Sequence, residues 1–206
     1  MNKSKTEKFW DGWADKFDKR AKKFSPLPIE ETKKYLKSSD VVLDFGCATG
    51  SVVIEIAGCV KEAVGIDISS KMIDAAQRKA SELGIGNAVF KQATLDNDFG
   101  DEKFDAILAF NIIHLIQGKR ELIQRMSELL KPNGFLIIKT ISYEKKTLSN
   151  ILLKFFTLSA VRLKVIPYME FVKISDLKEI LGKRGFEIIA VENLKKTEYF
   201  IAAKKM

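Results

Sequence analysis

Short apolar runs alternate with amphipathic stretches along most of this chain. The alternation is typical of a parallel β-sheet with helices on both faces. The apolar runs predict seven strands, at 41–45, 62–67, 87–92, 104–110, 134–140, 186–193 and 198–204. The amphipathic stretches predict helices at 49–57, 70–83, 119–130 and 175–184.

The connection between the last two predicted strands, "NLKKT", constrains their direction. Parallel neighbours need a crossover of a dozen or more residues, and this connection is too short for one. We therefore expect these two strands to pair antiparallel or to lie apart.

Two segments stand outside the alternation: an N-terminal helical flank, broken at "SPLP", and residues 145–172. With 206 residues and 46% hydrophobic side chains, the chain is expected to fold as one domain. We divide this domain at the sequence level into a flank (1–38), a core (39–144), an insertion (145–172) and a C-terminal helix with a strand pair (173–206). The flank and the insertion are expected to act together as a lid.

The sequence predicts a soluble, cytoplasmic protein. No apolar segment follows the lysine-rich start, and no uncharged run reaches the roughly 20 residues that span a bilayer. Cys47 and Cys59 flank one short predicted helix, which holds them too far apart for a disulfide. Both are expected to be reduced thiols.

The formal net charge of +8 raises the possibility of a nucleic-acid partner. The excess is concentrated at the N-terminus, because residues 1–37 hold eleven Lys and Arg against six Asp and Glu, a net +5. Acidic residues are interleaved with these bases on predicted helices. The pattern favours a solvated helix face over a nucleic-acid surface.

The stretch "DFGCATG" follows the first predicted strand and precedes a helix. Gly46 and Gly50 allow a sharp turn, backbone amides and close approach of a ligand at the carboxyl end of a strand. A packing turn explains two such glycines equally well. Asp67 favours a ligand site, because it ends the second strand about 20 residues later, where a carboxylate reaches ribose hydroxyls.

The glycine loop does not match the dinucleotide fingerprint. The three glycine positions of G-x-G-x-x-G fall on Gly46, Ala48 and Ser51, so two of them fail. Asp44, just before the loop, would repel a pyrophosphate and attract a cation. The charge therefore favours a positively charged nucleoside as ligand.

Four stretches, "VVLDFGCATG", "VGIDISSKMIDAAQRKA", "FDAILAFNIIHLI" and "LLKPNGFLIIKT", occur in this order between residues 40 and 140. Together they resemble class I S-adenosylmethionine-dependent methyltransferases. The resemblance implies an α/β, Rossmann-like, seven-stranded and mostly parallel sheet in the order 3-2-1-4-5-7-6, with strand 7 antiparallel and helices on both faces. It also implies S-adenosyl-L-methionine as the cofactor.

The resemblance also assigns cofactor-binding positions. Ala48 replaces the usual middle glycine of the loop, and Asp67 takes the ribose position. Ala93 stands where an adenine-binding carboxylate is usual, with Thr94 or Asp96 as substitutes, and Met72 fits plain helix packing as well as adenine. The cofactor positions within the core are Asp44, Gly46, Cys47, Ala48, Gly50, Asp67, Ile68, Met72, Ala93, Thr94, Phe110 and Asn111.

Three further features bear on the chemistry. His114, the only histidine, follows the fourth strand and is either a general base or a packed residue. The residues after this strand, Asn-Ile-Ile-His, differ from the tetrapeptide common in amino-methylating relatives. One histidine without clustered carboxylates predicts no metal site.

The flank and the insertion are expected to shape the substrate pocket. The stretch "FWDGWADKFDK" resembles the N-terminal segment of the ubiquinone/menaquinone-biosynthesis and related small-molecule methyltransferases, and it places Trp13 over the cofactor. An aromatic core stripe is an equal alternative. The apolar stretch "LSNILLKFFTLSAV" favours an apolar pocket over a lipid-surface contact.

These observations favour methylation of a small, partly apolar metabolite at oxygen or carbon. An RNA or protein methyltransferase and a non-catalytic S-adenosylmethionine binder are the alternatives.

Overall fold

The structure is a computed structural model that describes residues 3–21, 28–97, 99–142, 157–163, 166–195 and 197–206. Seven strands form one sheet in the order β3-β2-β1-β4-β5-β7-β6. β7 runs antiparallel to both neighbours, and the other pairs are parallel. The predicted fold and strand order are confirmed. The strands are β1 (Val41–Phe45), β2 (Glu62–Asp67), β3 (Ala88–Gln92), β4 (Phe104–Phe110), β5 (Leu130–Ile141), β6 (Phe186–Lys195) and β7 (Glu198–Lys205).

Helices cover both faces of the sheet. They are α1 (Lys5–Asp11), α2 (Ala14–Ala21), α3 (Ile29–Lys33), α4 (Ser51–Ala57), α5 (Ser70–Glu82), α6 (Lys119–Leu129) and α7 (Ile174–Lys183), and residues 157–162 are also helical. Side chains alternate along each strand. One apolar cluster therefore packs with α4 and α5, and the other packs with α6 and α7. The two faces are called the α4/α5 face and the α6/α7 face below.

Two predicted element starts are wrong by two residues or more. α4 begins at Ser51 rather than at residue 49, because its N-cap, Gly50, has a left-handed backbone with φ of +77°. β5 begins at Leu130 rather than at residue 134, because Leu130 pairs with Phe104 ahead of a register shift. The "KPNG" stretch therefore lies inside an irregular strand start.

Both segments outside the alternation have described parts. The flank contains α1, α2 and α3, whereas residues 22–27, with most of "SPLP", lie outside the described residues. Of the predicted insertion, residues 145–156 and 164–165 also lie outside them. Val172 at its end forms a parallel bridge with Ser142, just beyond β5. Among the described residues, no helix is both long and apolar enough to cross a membrane.

Candidate functional site

The loop after β1 turns sharply at the carboxyl end of the sheet. Gly46, Ala48 and Gly50 all have positive φ, of 74°, 48° and 77°. Ala48 thus adopts the left-handed conformation of the glycine that it replaces, at a cost of roughly 1 kcal/mol. A Cβ on Gly50 would lie 2.6 Å from the Phe90 ring, so close packing on β3 requires a glycine there.

The amides of this loop are used within the protein. Gly46 and Cys47 donate to the Ile66 carbonyl at 2.9 and 3.0 Å, and Gly50 donates to the Cys47 carbonyl at 2.9 Å. Ala48 donates to the Asp67 carboxylate. These four amides are therefore already satisfied within the protein.

Asp67 joins the loop to the second strand. Its Oδ2 accepts from the Ala48 amide at 3.0 Å, and its Oδ1 accepts from the Ser69 amide at 2.9 Å. Burial raises the pKa of Asp67, and these two hydrogen bonds oppose the rise. A carboxylate has about four acceptor sites, so Asp67 retains capacity for two hydroxyl donors.

Asp44 is the most deeply buried acid of the site, at 2% exposure. Its Oδ2 has no hydrogen-bond partner within the described part of the chain. Burial, together with a smaller effect of the nearby Asp67 charge, raises its pKa to about 7. A buried carboxyl in this state would be stabilised by a cationic ligand group.

The flank contacts the same end of the sheet through charged side chains. Asp11 in α1 accepts from the Ser69 hydroxyl at 2.6 Å and from the Lys71 amide at 3.3 Å, and it pairs with Lys3 at 2.5 Å. Burial alone would raise the pKa of Asp11, but the hydrogen bonds from Lys3, Ser69 and Lys71 lower it overall. Ser69 itself caps α5 by accepting from the Met72 amide.

A second contact joins α2 to the glycine loop. Asp18 accepts from the Thr49 hydroxyl at 2.5 Å and pairs with Lys79 at 2.8 Å. The sequence pattern did not single out Asp11, Asp18 or Ser69. The only available signal was that two acids recur seven residues apart in the predicted helical flank.

The aromatic stripe of the flank forms its own cluster. The Phe9 ring centre lies 5.2 Å from Trp10 and 6.1 Å from Trp13. All three side chains are half-buried, and Trp13 follows α1 directly. The stripe is therefore neither fully in a core nor fully exposed, and the role of Trp13 over the cofactor stays a prediction.

The apolar positions next to Asp67 differ in exposure. Met72 in α5 is only 1% exposed, whereas Ile68 is half-buried.

The loop after β3 reaches the same edge of the sheet, because Ala93 donates its amide to the Asp67 carbonyl at 3.0 Å. The Thr94 hydroxyl is already bonded to Asn97 and to the Asp96 amide. No carboxylate fills the Ala93 position, as the sequence shows.

The end of β4 brings Phe110, Asn111 and His114 together. Asn111 has a left-handed backbone with φ of 56°, and its amide donates to the Lys139 carbonyl at 2.7 Å. His114 lies in the 3₁₀ turn Ile113–Leu115, and its carbonyl accepts from the Glu170 amide at 2.8 Å.

The His114 imidazole is mostly buried. Its Nδ1 has no hydrogen-bond partner among the described residues. Burial, together with a smaller effect of the Lys119 charge, lowers its pKa to about 4. The imidazole is therefore neutral at physiological pH and able to accept a proton.

The described residues contain neither a disulfide nor a group of metal-ligating side chains. Cys47 and Cys59 are free thiols, and burial raises the pKa of Cys47, so it remains a protonated, apolar group in the loop. Across the described ranges, no three His, Cys, Asp or Glu side chains form a group that could hold a metal ion.

The chain is similar in sequence to known proteins over most of its length. A family model described as "Methyltransferase domain" matches residues 36–189. A ubiquinone biosynthesis O-methyltransferase of Rickettsia canadensis is 27% identical over 154 residues, which are 74% of this chain and 65% of that relative. The chain thus spans just under two thirds of the length of that relative.

Two solved structures show the fold. The magnesium protoporphyrin IX methyltransferase of Synechocystis, with bound SAH, superposes with a TM-score of 0.70 at 21% identity, over 96% of this chain and 98% of that one. The [4+2]-cyclase SpnF superposes with a TM-score of 0.72 at 16% identity, over 86% of this chain and 79% of that one. Since one of these is called a cyclase, the fold alone does not decide the reaction.

The family model covers most of the chain, and the sheet order matches the order that the sequence resemblance implies. The chain belongs to the methyltransferase domain family, which confirms its resemblance to class I S-adenosylmethionine-dependent methyltransferases.

Proposed function

We propose that the chain transfers a methyl group from S-adenosylmethionine to an oxygen or carbon atom of a small, partly apolar metabolite. The observation that carries this proposal is the network of Asp67 with the glycine loop, next to the unpartnered oxygen of Asp44. A nucleoside with a cationic amino-acid part has hydroxyls for the first acid and an ammonium for the second.

The residues present fit such a cofactor. Asp67 would hold the ribose hydroxyls, Asp44 the cationic part, and Ile68 and Met72 the adenine ring. The cofactor supplies an activated methyl group when bound, so the protein has to align the acceptor and exclude water. Phe110 and Asn111 would lie at the transfer point.

His114 is the candidate to take up the acceptor proton. Its neutral imidazole, without a partner on Nδ1 in the described structure, supports this role. Its low pKa makes it a weak base. It can therefore receive a proton only from an acceptor that becomes acidic as the methyl group is transferred.

We propose that the protein acts in the cytoplasm. Its methyl acceptor is a small molecule rather than a macromolecule. The free thiols of Cys47 and Cys59 support a reducing compartment. The name of the Rickettsia relative supports oxygen as the methylated atom.

Calorimetry with S-adenosylhomocysteine tests the proposal. Asp67→Ala removes the ribose acceptor and should weaken binding by roughly 1.5 to 3 kcal/mol, the worth of a charged hydrogen bond. Asp101→Ala is the matched control, because it removes an exposed acid between β3 and β4 to which no cofactor contact is assigned. Unchanged affinity in Asp67→Ala, or equal losses in both variants, would refute the assignment.

A further inference from the structure

The buried side chains of β5 change from apolar to polar towards the carboxyl end of the strand. Leu136, Ile137 and Ile138 are fully buried apolar residues, and Lys139 and Thr140 after them are equally buried but polar. Lys139 is only 1% exposed. The change occurs at the carboxyl end of the sheet, where ligands bind in folds of this type.

Lys139 is paired with an acid on the next strand. Its Nζ lies 3.2 Å from Oε2 of Glu198, the first residue of β7. Burial of an ion pair costs about as much as the attraction returns, and an apolar pair of similar volume is often as stable. Stability alone therefore does not account for charges at this place.

The two partners are not equally accessible. The Lys139 side chain is 2% exposed, whereas the Glu198 side chain is 18% exposed. Glu198 Oε2 is buried against Lys139 and makes no hydrogen bond within the described ranges. The exposure of Glu198 therefore belongs to the rest of its side chain. Glu198 is therefore the more accessible member of the pair.

Both charges lie on the α4/α5 face of the sheet, as Asp44 and Phe110 do. Ile137, Phe110 and Phe200 belong to the apolar cluster of that face, and Lys139 and Glu198 are two residues away from Ile137 and Phe200. Lys139 pairs in register with Phe110 of β4 and with Phe200 of β7. Neighbouring strands are about 4.8 Å apart, so Glu198 lies roughly 10 Å across the sheet from Phe110. This distance matches the length of a small metabolite.

We propose that Glu198, oriented by Lys139, is a specificity-determining residue that accepts a hydrogen bond from a hydroxyl or ammonium group of the acceptor. The donor group lies at the end of the acceptor remote from the methylated atom. The inference rests on the proposed function, since it assumes a cofactor at β1 and β2 and an acceptor over β4, β5 and β7. A carboxylate or phosphate at the same end would be repelled by Glu198.

Three fragments of one size test this inference: benzylamine, benzyl alcohol and benzoate, which present an ammonium, a hydroxyl and a carboxylate on the same ring. Binding is measured by ligand-observed NMR with saturating S-adenosylhomocysteine. Benzylamine should bind at least about tenfold more tightly than benzoate, the effect of one charged hydrogen bond, with benzyl alcohol between them. Binding of benzoate as tight as that of benzylamine, or no binding of any fragment, overturns the inference.

Two variants separate recognition from stability. Glu198→Gln should abolish most of the preference for benzylamine, and Glu187→Gln, an equal charge change at an exposed position of β6, should not. The double variant Lys139→Met/Glu198→Leu should fold and lose the discrimination entirely. Discrimination that survives in Glu198→Gln, or that falls equally in Glu187→Gln, contradicts the role of Glu198.

The same samples distinguish this inference from the proposed function. If the wild type does not bind S-adenosylhomocysteine, the proposed function is refuted. Normal cofactor binding without fragment discrimination refutes only the role of Glu198.

Discussion

Asp44 links cofactor recognition to the pH dependence of stability. Its pKa in the folded protein is about 7, above its ordinary value of 3.8, because burial and Asp67 disfavour the charged form. The folded state therefore holds this proton more tightly than the unfolded chain. The contribution of Asp44 to stability is greatest below the unfolded pKa and is lost as the pH rises towards 7.

Asp44→Asn should remove that loss. The variant without ligand should melt at a higher temperature than the wild type at about pH 8, and the difference should vanish near pH 4. Thermal unfolding across this range measures the effect. The same variant should bind S-adenosylmethionine roughly tenfold more weakly at about pH 8, because it lacks the charge for the cationic group. A lower melting temperature at pH 8 would contradict the burial of an unpaired charge.

His114 allows a direct test, since it is the only histidine in the chain. Its imidazole NMR signals should titrate with a midpoint of about 4, below the ordinary value of 6.5, because burial disfavours the charged ring. The unfolded chain takes up this proton first as the pH falls. His114 therefore costs stability progressively between pH 6.5 and 4.

The matched variant is His114→Gln, which should lose less stability on acidification than the wild type over the same range. If His114 also takes up the acceptor proton, the variant should lower kcat more than it raises KM. A titration midpoint near 6.5 in the wild type would contradict the buried placement.

At the scale of elements, the flank is attached to the core mainly by polar contacts. No described side chain of α1 or α2 belongs to the two large apolar clusters, although Ile29, Tyr35 and Leu36 of the following segment pack against one of them. The contacts of α1 and α2 with the ligand end include those of Asp11 with Ser69, Glu7 with Gln92, and Asp18 with Thr49. Such contacts can open without loss of the core, as a lid requires.

Deletion of Met1 to Phe24 should therefore leave a folded protein with a melting temperature close to that of the full chain, because both apolar clusters remain. Cofactor affinity and turnover should fall, because water is no longer excluded. Circular dichroism and calorimetry measure the two effects. In the full chain, the amides of α1 and α2 should gain hydrogen-exchange protection when S-adenosylhomocysteine binds. Insoluble protein, or unchanged protection in both helices, would contradict the lid.

At the scale of the whole molecule, the basic flank is partly neutralised by its own acids. Lys3, Lys33 and Lys34 pair with acids of the flank, and Lys79 of α5 pairs with Asp18. These pairs leave the net charge of +8 unchanged, but in the described flank they place acids beside the bases instead of forming one continuous basic surface. This distribution supports a small-molecule acceptor.

Affinity for RNA or DNA should be weak and should disappear with added salt, as for non-specific phosphate contacts. Binding of a random-sequence RNA at about 50 and 200 mM salt measures this salt dependence. The affinity should fall by several factors of ten between the two concentrations. The deletion of Met1 to Phe24 provides the control, because it removes much of the basic excess. Tight, salt-resistant binding of one RNA would make a macromolecular acceptor the better proposal.

The sheet was predictable because its signals are local. Each strand from β1 to β4 is a short apolar run whose ends were predicted to within one residue. The left-handed turn at Gly46 and the acid at Asp67 lie within one strand–loop–helix–strand unit, so spacing alone indicated that they meet. The irregular start of β5 was missed, because the pairing of Leu130 with Phe104 depends on a strand about 25 residues away.

The sequence by itself determined the strand–helix order, the glycine loop and the acid of the second strand, because periodicity and turn chemistry act over neighbouring residues. Only the tertiary structure decided which distant side chains share the ligand end. It brings Asp11 to Ser69 and pairs Lys139 with Glu198, contacts across about 60 residues of chain. Burial of Asp44 and His114 sets their pKa values in the same way. These properties depend on packing between elements, which no local pattern records.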